Sequence, residues 1–201
     1  VYLITQNALA DDTYMSVERD LYGDEIWIPA SEDSASAFTD FVSGLSEEEK
    51  RRYGVVMDNG RVQVTGAQSV MLINAILARK MFDKNKDRNA FYVEESYPIE
   101  WMYDYLVPHG LIMKIERDKT ENGADSATWK NLLRKDRDFW DWYVRRLLDD
   151  PMFRRDFAAQ KSFAKLRTAI AGLEMQKMFR GGGTEGIGGT EIHFLSCLLV
   201  L

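Results

Sequence analysis

Two places in the sequence set carboxylates where an α/β protein would use them. The loop Gln6-Asn7-Ala8-Leu9-Ala10-Asp11-Asp12 follows the apolar run Val1–Thr5, and open α/β sheets bind ligands at the carboxyl ends of their strands. Asn7, Asp11 and Asp12 are therefore ligand-binding candidates. The competing role for both aspartates is to cap the helix that Thr13–Leu21 predicts, because an Asp oxygen accepts the unpaired amide hydrogens of a first helical turn. Glu94-Glu95-Ser96 closes the run Ala90–Val93 in the same way. Paired carboxylates can hold a cation or a sugar hydroxyl, or divide acid and base roles. Successive strand side chains point to opposite faces, however, which makes one shared ligand awkward for Glu94 and Glu95. His109, in the turn Pro108-His109-Gly110, has the titration range of a general base, although a histidine in a turn serves equally well by bonding backbone.

Other patterns carry less chemistry. Asp136-Arg137-Asp138 spells the Asp-x-Asp pattern that holds a metal in some sugar-nucleotide transferases. It falls inside a predicted helix, where residues i and i+2 diverge by roughly 200°, so joint chelation is rejected. The loop after the first strand has no Gly-x-Gly-x-x-Gly, and no Gly-Lys-Ser/Thr phosphate loop occurs anywhere. The glycine cluster from Gly181 follows a helix instead of a strand, the wrong context for a nucleotide. A single cysteine, Cys197, excludes an internal disulfide and a Cys-rich zinc site. No cofactor and no metal are expected. Arg154, Arg155, Lys161, Lys165 and Arg167 read as the wet face of a helix burying Phe157, Phe163, Leu166 and Ile170, with a phosphate or anionic headgroup as the alternative use. Trp101, Trp140 and Trp142 with Tyr97, Tyr103 and Tyr143 read as core, with sugar stacking as the alternative.

The elements that must position these residues follow from pattern and turn chemistry. A chain of 201 residues, 45% hydrophobic, is long enough for one packed core and an appendage. Its net charge of −6 argues against a nucleic-acid partner, which normally meets a basic face. Short strands are predicted at Val1–Thr5, Ile26–Ile28, Ala90–Val93 and Leu111–Ile115, and Asp58-Asn59-Gly60 predicts a hairpin between Val55–Met57 and Val62–Val64. Helices are predicted after Ser34, after Ser46 (with Glu49 completing a capping box), over Val70–Phe82, and from Pro98 to Leu106. The alternation of strand and helix predicts an α/β fold: an open, mostly parallel sheet with flanking helices over residues 1–124. Residues 125–180 predict a helical appendage, Ser126–Leu148 and Met152–Met178, broken at Asp149-Asp150-Pro151. Residues 181–201 read as a flexible or artefactual tail. The chain opens as though already inside a strand, which suggests a fragment, and no stretch reaches the roughly 18 to 20 apolar residues that span a bilayer.

Several stretches together resemble a known family. They are Val1–Asp11, Gly60–Val64, Phe91–Pro98, Tyr105–Ile112 and Lys161–Gly172. In this order they are similar to the soluble region of large bacterial membrane proteins related to protein O-mannosyltransferases. The resemblance covers most of residues 1–173. It implies a polytopic membrane half upstream that uses a lipid-phosphate sugar, an extracytoplasmic (periplasmic) α/β region, and tetratricopeptide-like helical repeats after it. It implies as partners the parent membrane domain and either a polypeptide acceptor or the carrier's headgroup. The family's catalytic acid lies in a membrane loop, so no catalytic residue carries over. The alternative is a free-standing α/β binding or enzyme domain that uses the strand-end carboxylates.

Overall fold

A computed structural model describes residues 2–4, 8–9, 11–58, 61–64, 67–94, 99–120 and 127–180. In chain order the elements are β1 (Tyr2–Ile4), α1 (Asp12–Tyr22), α2 (Ser31–Ser43), α3 (Glu47–Arg52), β2 (Val55–Asp58), β3 (Arg61–Val64), α4 (Ala67–Asn85), β4 (Phe91–Val93), a 3₁₀ turn (Glu100–Asp104), β5 (Leu106–His109), β6 (Ile112–Ile115), α5 (Ala127–Asp149), a second 3₁₀ turn (Phe153–Arg155) and α6 (Phe157–Arg180). They form two compact units, residues 4–89 and residues 1–3 with 90 onward. Among the described residues no helix is long and apolar enough to cross a membrane.

The unit of residues 4–89 is helical, with one hairpin. Met15, Ala37, Phe41, Leu77, Ala78 and Phe82 are buried in its core, together with Ile26 and Ile28. The Asn-Gly signal is met by β2 and β3, which pair antiparallel from Val55 opposite Val64 to Asp58 opposite Arg61. The capping box at Ser46 also forms: Ser46 Oγ accepts from the Glu49 amide at 3.3 Å, and Glu49 Oε2 accepts from the Ser46 amide at 2.8 Å. α2 begins earlier than Ser34, at Ser31, where the Asp33 carboxylate accepts the Ala30 amide at 2.9 Å.

The predicted strand Ile26–Ile28 does not exist, and the cause is one side chain. Asn85, near the end of α4, accepts from the Trp27 amide through Oδ1 and donates to the Trp27 carbonyl through Nδ2, both at 2.8 Å. A buried backbone must find partners for both groups. Here a side-chain amide supplies them, so Ile26 and Ile28 can be buried without a neighbouring strand.

The second unit holds a four-stranded sheet in the order β1-β4-β6-β5. β4 and β5 each pair antiparallel with β6, with Phe91 and Leu106 both opposite Ile115. Phe91, Val93, Leu106, Pro108, Met113 and Ile115 form its buried face. These small antiparallel sheets within a mainly helical chain overturn the expected open parallel sheet. Parallel neighbours require a crossover of about a dozen residues or more. Only Gly110 and Leu111 separate β5 from β6, and Gly110 turns the chain with φ +67°. The expected helix through Leu106 shrinks to a single 3₁₀ turn, which frees Leu106–His109 to become β5.

α5 and α6 run antiparallel against each other. The Trp129 ring meets Lys177, Asp136 meets Arg167, and Tyr143 meets Phe163, so partners recede along α6 as they advance along α5. The buried Phe153 sits in the connection and packs on Phe163 at 5.5 Å between ring centres.

Candidate functional site

Asp11 and Asp12 begin α1, and both are engaged in local structure. Asp11 holds an extended backbone, and its Oδ1 accepts from the Tyr14 amide at 3.0 Å, which satisfies one donor of the first turn. Asp12 Oδ1 accepts from Ser31 Oγ at 2.7 Å and lies 3.6 Å from Arg19 Nη2. Arg19 also donates to the Pro29 carbonyl. Asp11 thus caps α1, and Asp12 fastens the start of α1 to the first residue of α2. Glu94 is exposed just after β4, and His109 is exposed at the end of β5, with its ring 5.1 Å from that of Tyr92 on the same sheet face. Asp11 and Asp12 belong to one unit, Glu94 and His109 to the other. Asn7 and Glu95 lie outside the described residues. Among the described residues no group of three His, Cys, Asp or Glu side chains is placed to hold a metal.

The titratable centre of the second unit lies elsewhere, on the seam between α5 and α6. Trp129, Asp136, Trp140 and Tyr143 recur at spacings of about one or two turns along α5, and Phe163, Arg167, Ile170, Glu174 and Lys177 do so along α6. Such positions normally carry apolar side chains. Here Asp136, Glu174 and Lys177 are only 5%, 7% and 3% exposed.

The charges are unevenly matched. Arg167 Nη1 lies 3.0 Å from Asp136 Oδ2, and its guanidinium stands 5.2 Å from the centre of the Trp140 ring. Asp136 Oδ1 and the Trp140 indole Nε1 are both buried without a hydrogen-bond partner. Burial pushes the Asp136 carboxyl up to about 6, against the pull of Arg167 and a smaller pull from the Trp140 indole. Burial pushes Glu174 further, to about 7; Arg167 and Arg137 oppose the rise, and the charge of Asp136 adds to it. Two buried carboxylates therefore share the seam with one largely covered guanidinium, which pairs with Asp136. Lys177 is engaged separately: its Nζ donates to Thr120 Oγ1 and sits 5.8 Å from the Trp129 ring centre. Thr120 is itself fixed by its amide and hydroxyl, which donate to the Asp104 carbonyl at 2.8 and 2.9 Å.

An ion buried without full compensation costs several kcal/mol, and a carboxyl in that position keeps its proton instead. What this arrangement can do chemically is take up or release a proton near neutral pH. The Asp-x-Asp reading is answered here as well: Asp136 is buried in the seam and Asp138 is exposed.

The spacing predicts Arg167 on the wet face of α6 and Phe157 on its buried face, and the structure shows the opposite. The Arg167 side chain is 14% exposed and Phe157 is 76% exposed. Arg154, Arg155, Lys161 and Lys165 are exposed as expected, as Trp140 is buried, whereas Trp142 stands 54% exposed. One signal would have found the seam. Arg167, Glu174 and Lys177 fall in step with Phe163 and Ile170, so three charged residues share a stripe with the apolar ones.

Comparison with models of protein families, with characterised proteins and with solved structures finds no match to this chain.

Proposed function

We propose that the chain is an accessory extracytoplasmic region of a membrane-embedded glycosyltransferase of the protein O-mannosyltransferase type. In this reading it presents a polypeptide acceptor or the headgroup of a lipid-phosphate sugar to the parent membrane domain, and the sugar transfer itself happens there. The sequence resemblance, over most of residues 1–173, motivates the assignment.

One observation carries the docking role. Where α5 passes into α6, Met152 and Phe157 are 74% and 76% exposed, and Leu148 is 41% exposed. Arg154 and Arg155, also exposed, lie between Met152 and Phe157. Asp149, Asp150 and Asp156 lie nearby; Asp150 and Asp156 accept from the amides of Met152 and Ala159 at 2.8 and 3.0 Å, and Arg154 donates to the Leu148 carbonyl. Large apolar side chains beside guanidinium groups suit a polypeptide or a phosphate-bearing lipid. Asp11 and Asp12 act in helix capping and pairing, which favours docking over the alternative of a free-standing enzyme.

The test is flotation of the chain with phosphatidylcholine vesicles containing a polyprenyl-phosphate sugar, beside a pull-down on an immobilised Ser/Thr-rich acceptor polypeptide. The reading expects binding in at least one assay, lost in the double variant Met152→Ser/Phe157→Ser. Absence of binding in both, or sugar transfer by the chain alone, overturns it.

A further inference from the structure

We infer that the α5–α6 seam is a proton-dependent lock, in which the buried carboxyls of Glu174 and Asp136 share the seam with the single guanidinium of Arg167 and one of them must carry a proton for the two helices to close fully. Three geometric facts support this, independently of the docking role. Arg167 spends its charge on Asp136 at 3.0 Å and on the face of Trp140. Asp136 Oδ1 and the Trp140 indole Nε1 are both buried without a well-formed hydrogen bond, although the indole still exerts a small stabilising pull on the carboxylate. Glu174, two helical turns beyond Arg167 on the same stripe of α6, is 7% exposed. The direction in which burial moves both carboxyls agrees with this arrangement.

Among the described residues, no other charged group on the packed elements forms an ion pair with the second carboxylate. On α5, Arg137 is exposed and acts on Glu174 only as a weaker influence than Arg167 and Asp136. On α6, Lys177 donates to Thr120 and covers Trp129. From the first 3₁₀ turn and the segment after β6, Asp104 and Lys119 pair with each other at 2.8 Å. When Glu174 loses its proton, the charge can regain hydration only if α6 parts from α5. Opening is therefore linked to proton release: the open helix has an ordinary glutamate, and the closed seam holds the proton more tightly.

Hydrogen exchange of α6 amides in the whole chain tests this, after correction for the intrinsic pH dependence of exchange. Protection in the wild type should fall as pH rises from 5 to 7, by roughly tenfold per pH unit for each carboxyl that releases its proton on opening. In Glu174→Gln, which keeps the shape and cannot ionise, protection at pH 7 should exceed that of the wild type at pH 7, and the slope should shrink to the part due to Asp136. Wild-type protection that is flat across this range overturns the lock. So does a Glu174→Gln chain that keeps the full wild-type slope. Should Glu174→Gln not fold, Asp136→Asn takes its place with the same two outcomes, and titration of the Glu174 carboxyl in the wild type decides if neither folds: a midpoint in the ordinary glutamate range overturns the lock.

Discussion

Asp136 and Arg167, 31 residues apart in the chain, meet at 3.0 Å across the seam of two antiparallel helices. Neither is free to find water instead, since their side chains are 3% and 14% exposed. Removing one member leaves the other as an uncompensated buried charge. Asp136→Ala should therefore destabilise the chain by about 3–5 kcal/mol, the usual cost of breaking a buried pair. Replacing both residues by apolar ones of similar size should cost much less. Urea unfolding of Asp136→Ala checks the first statement, and Asp136→Leu, Arg167→Met and the Asp136→Leu/Arg167→Met pair check the second through the non-additivity of the double change.

Stability should depend on pH in a direction opposite to that of an ordinary surface-paired acid. Asp136 and Glu174 are raised from 3.8 to about 6 and from 4.5 to about 7. The folded state thus binds their protons more tightly than the unfolded state does. Their contribution is greatest at the acid end of that window and falls by about 1.4 kcal/mol per pH unit for each carboxyl as pH rises through it. Above about 7 the loss is complete. Urea midpoints at pH 5, 6, 7 and 8 should decline and then level; a midpoint that rises steadily over this range contradicts the assignment.

Asn85 should be among the least replaceable residues of the unit of residues 4–89. Its amide satisfies both backbone groups of Trp27 and also donates to the Met81 carbonyl at 2.7 Å. Asn85→Leu would leave a buried amide and carbonyl without partners, at about 1–3 kcal/mol for each group. Denaturant unfolding should show a loss of that order, and exchange at the Trp27 amide should accelerate while that of β2 and β3 changes less.

Asp11→Ala should cost about 1 kcal/mol through the lost cap of α1. Its binding to vesicles or polypeptide should equal that of the wild type. A variant that folds with wild-type stability but loses binding would move the functional site to the start of α1.

Local features were the most readable in the sequence. Ser46 with Glu49, the Asn59-Gly60 hairpin and the long helices around 70–82, 126–148 and 152–178 each depend on residues close in the chain. The sheet was misread because its direction is set by contacts that pattern does not encode. Leu106–His109 looked like the end of a helix and a turn, yet it pairs with Ile112–Ile115 through a two-residue connection. Ile26–Ile28 has the composition of a strand, and only a side chain 58 residues away shows why it is not one. The site suffered from the same limit. Carboxylates at strand ends were visible but do local work, whereas the buried charges on α5 and α6 looked like the ordinary decoration of surface helices. Arg167 is told apart from Arg154 and Lys161 by which face of α6 it occupies, and that depends on where α5 packs.

The most direct measurement is the titration of the Glu174 carboxyl carbon in ¹³C-glutamate-labelled wild-type chain, assigned by comparison with Glu174→Gln. A midpoint near 7, with Trp140 and Arg167 resonances following the same curve, is what two buried carboxylates sharing the seam with one guanidinium predict. A midpoint in the ordinary range near 4.5, with no response from Trp140 or Arg167, would contradict it.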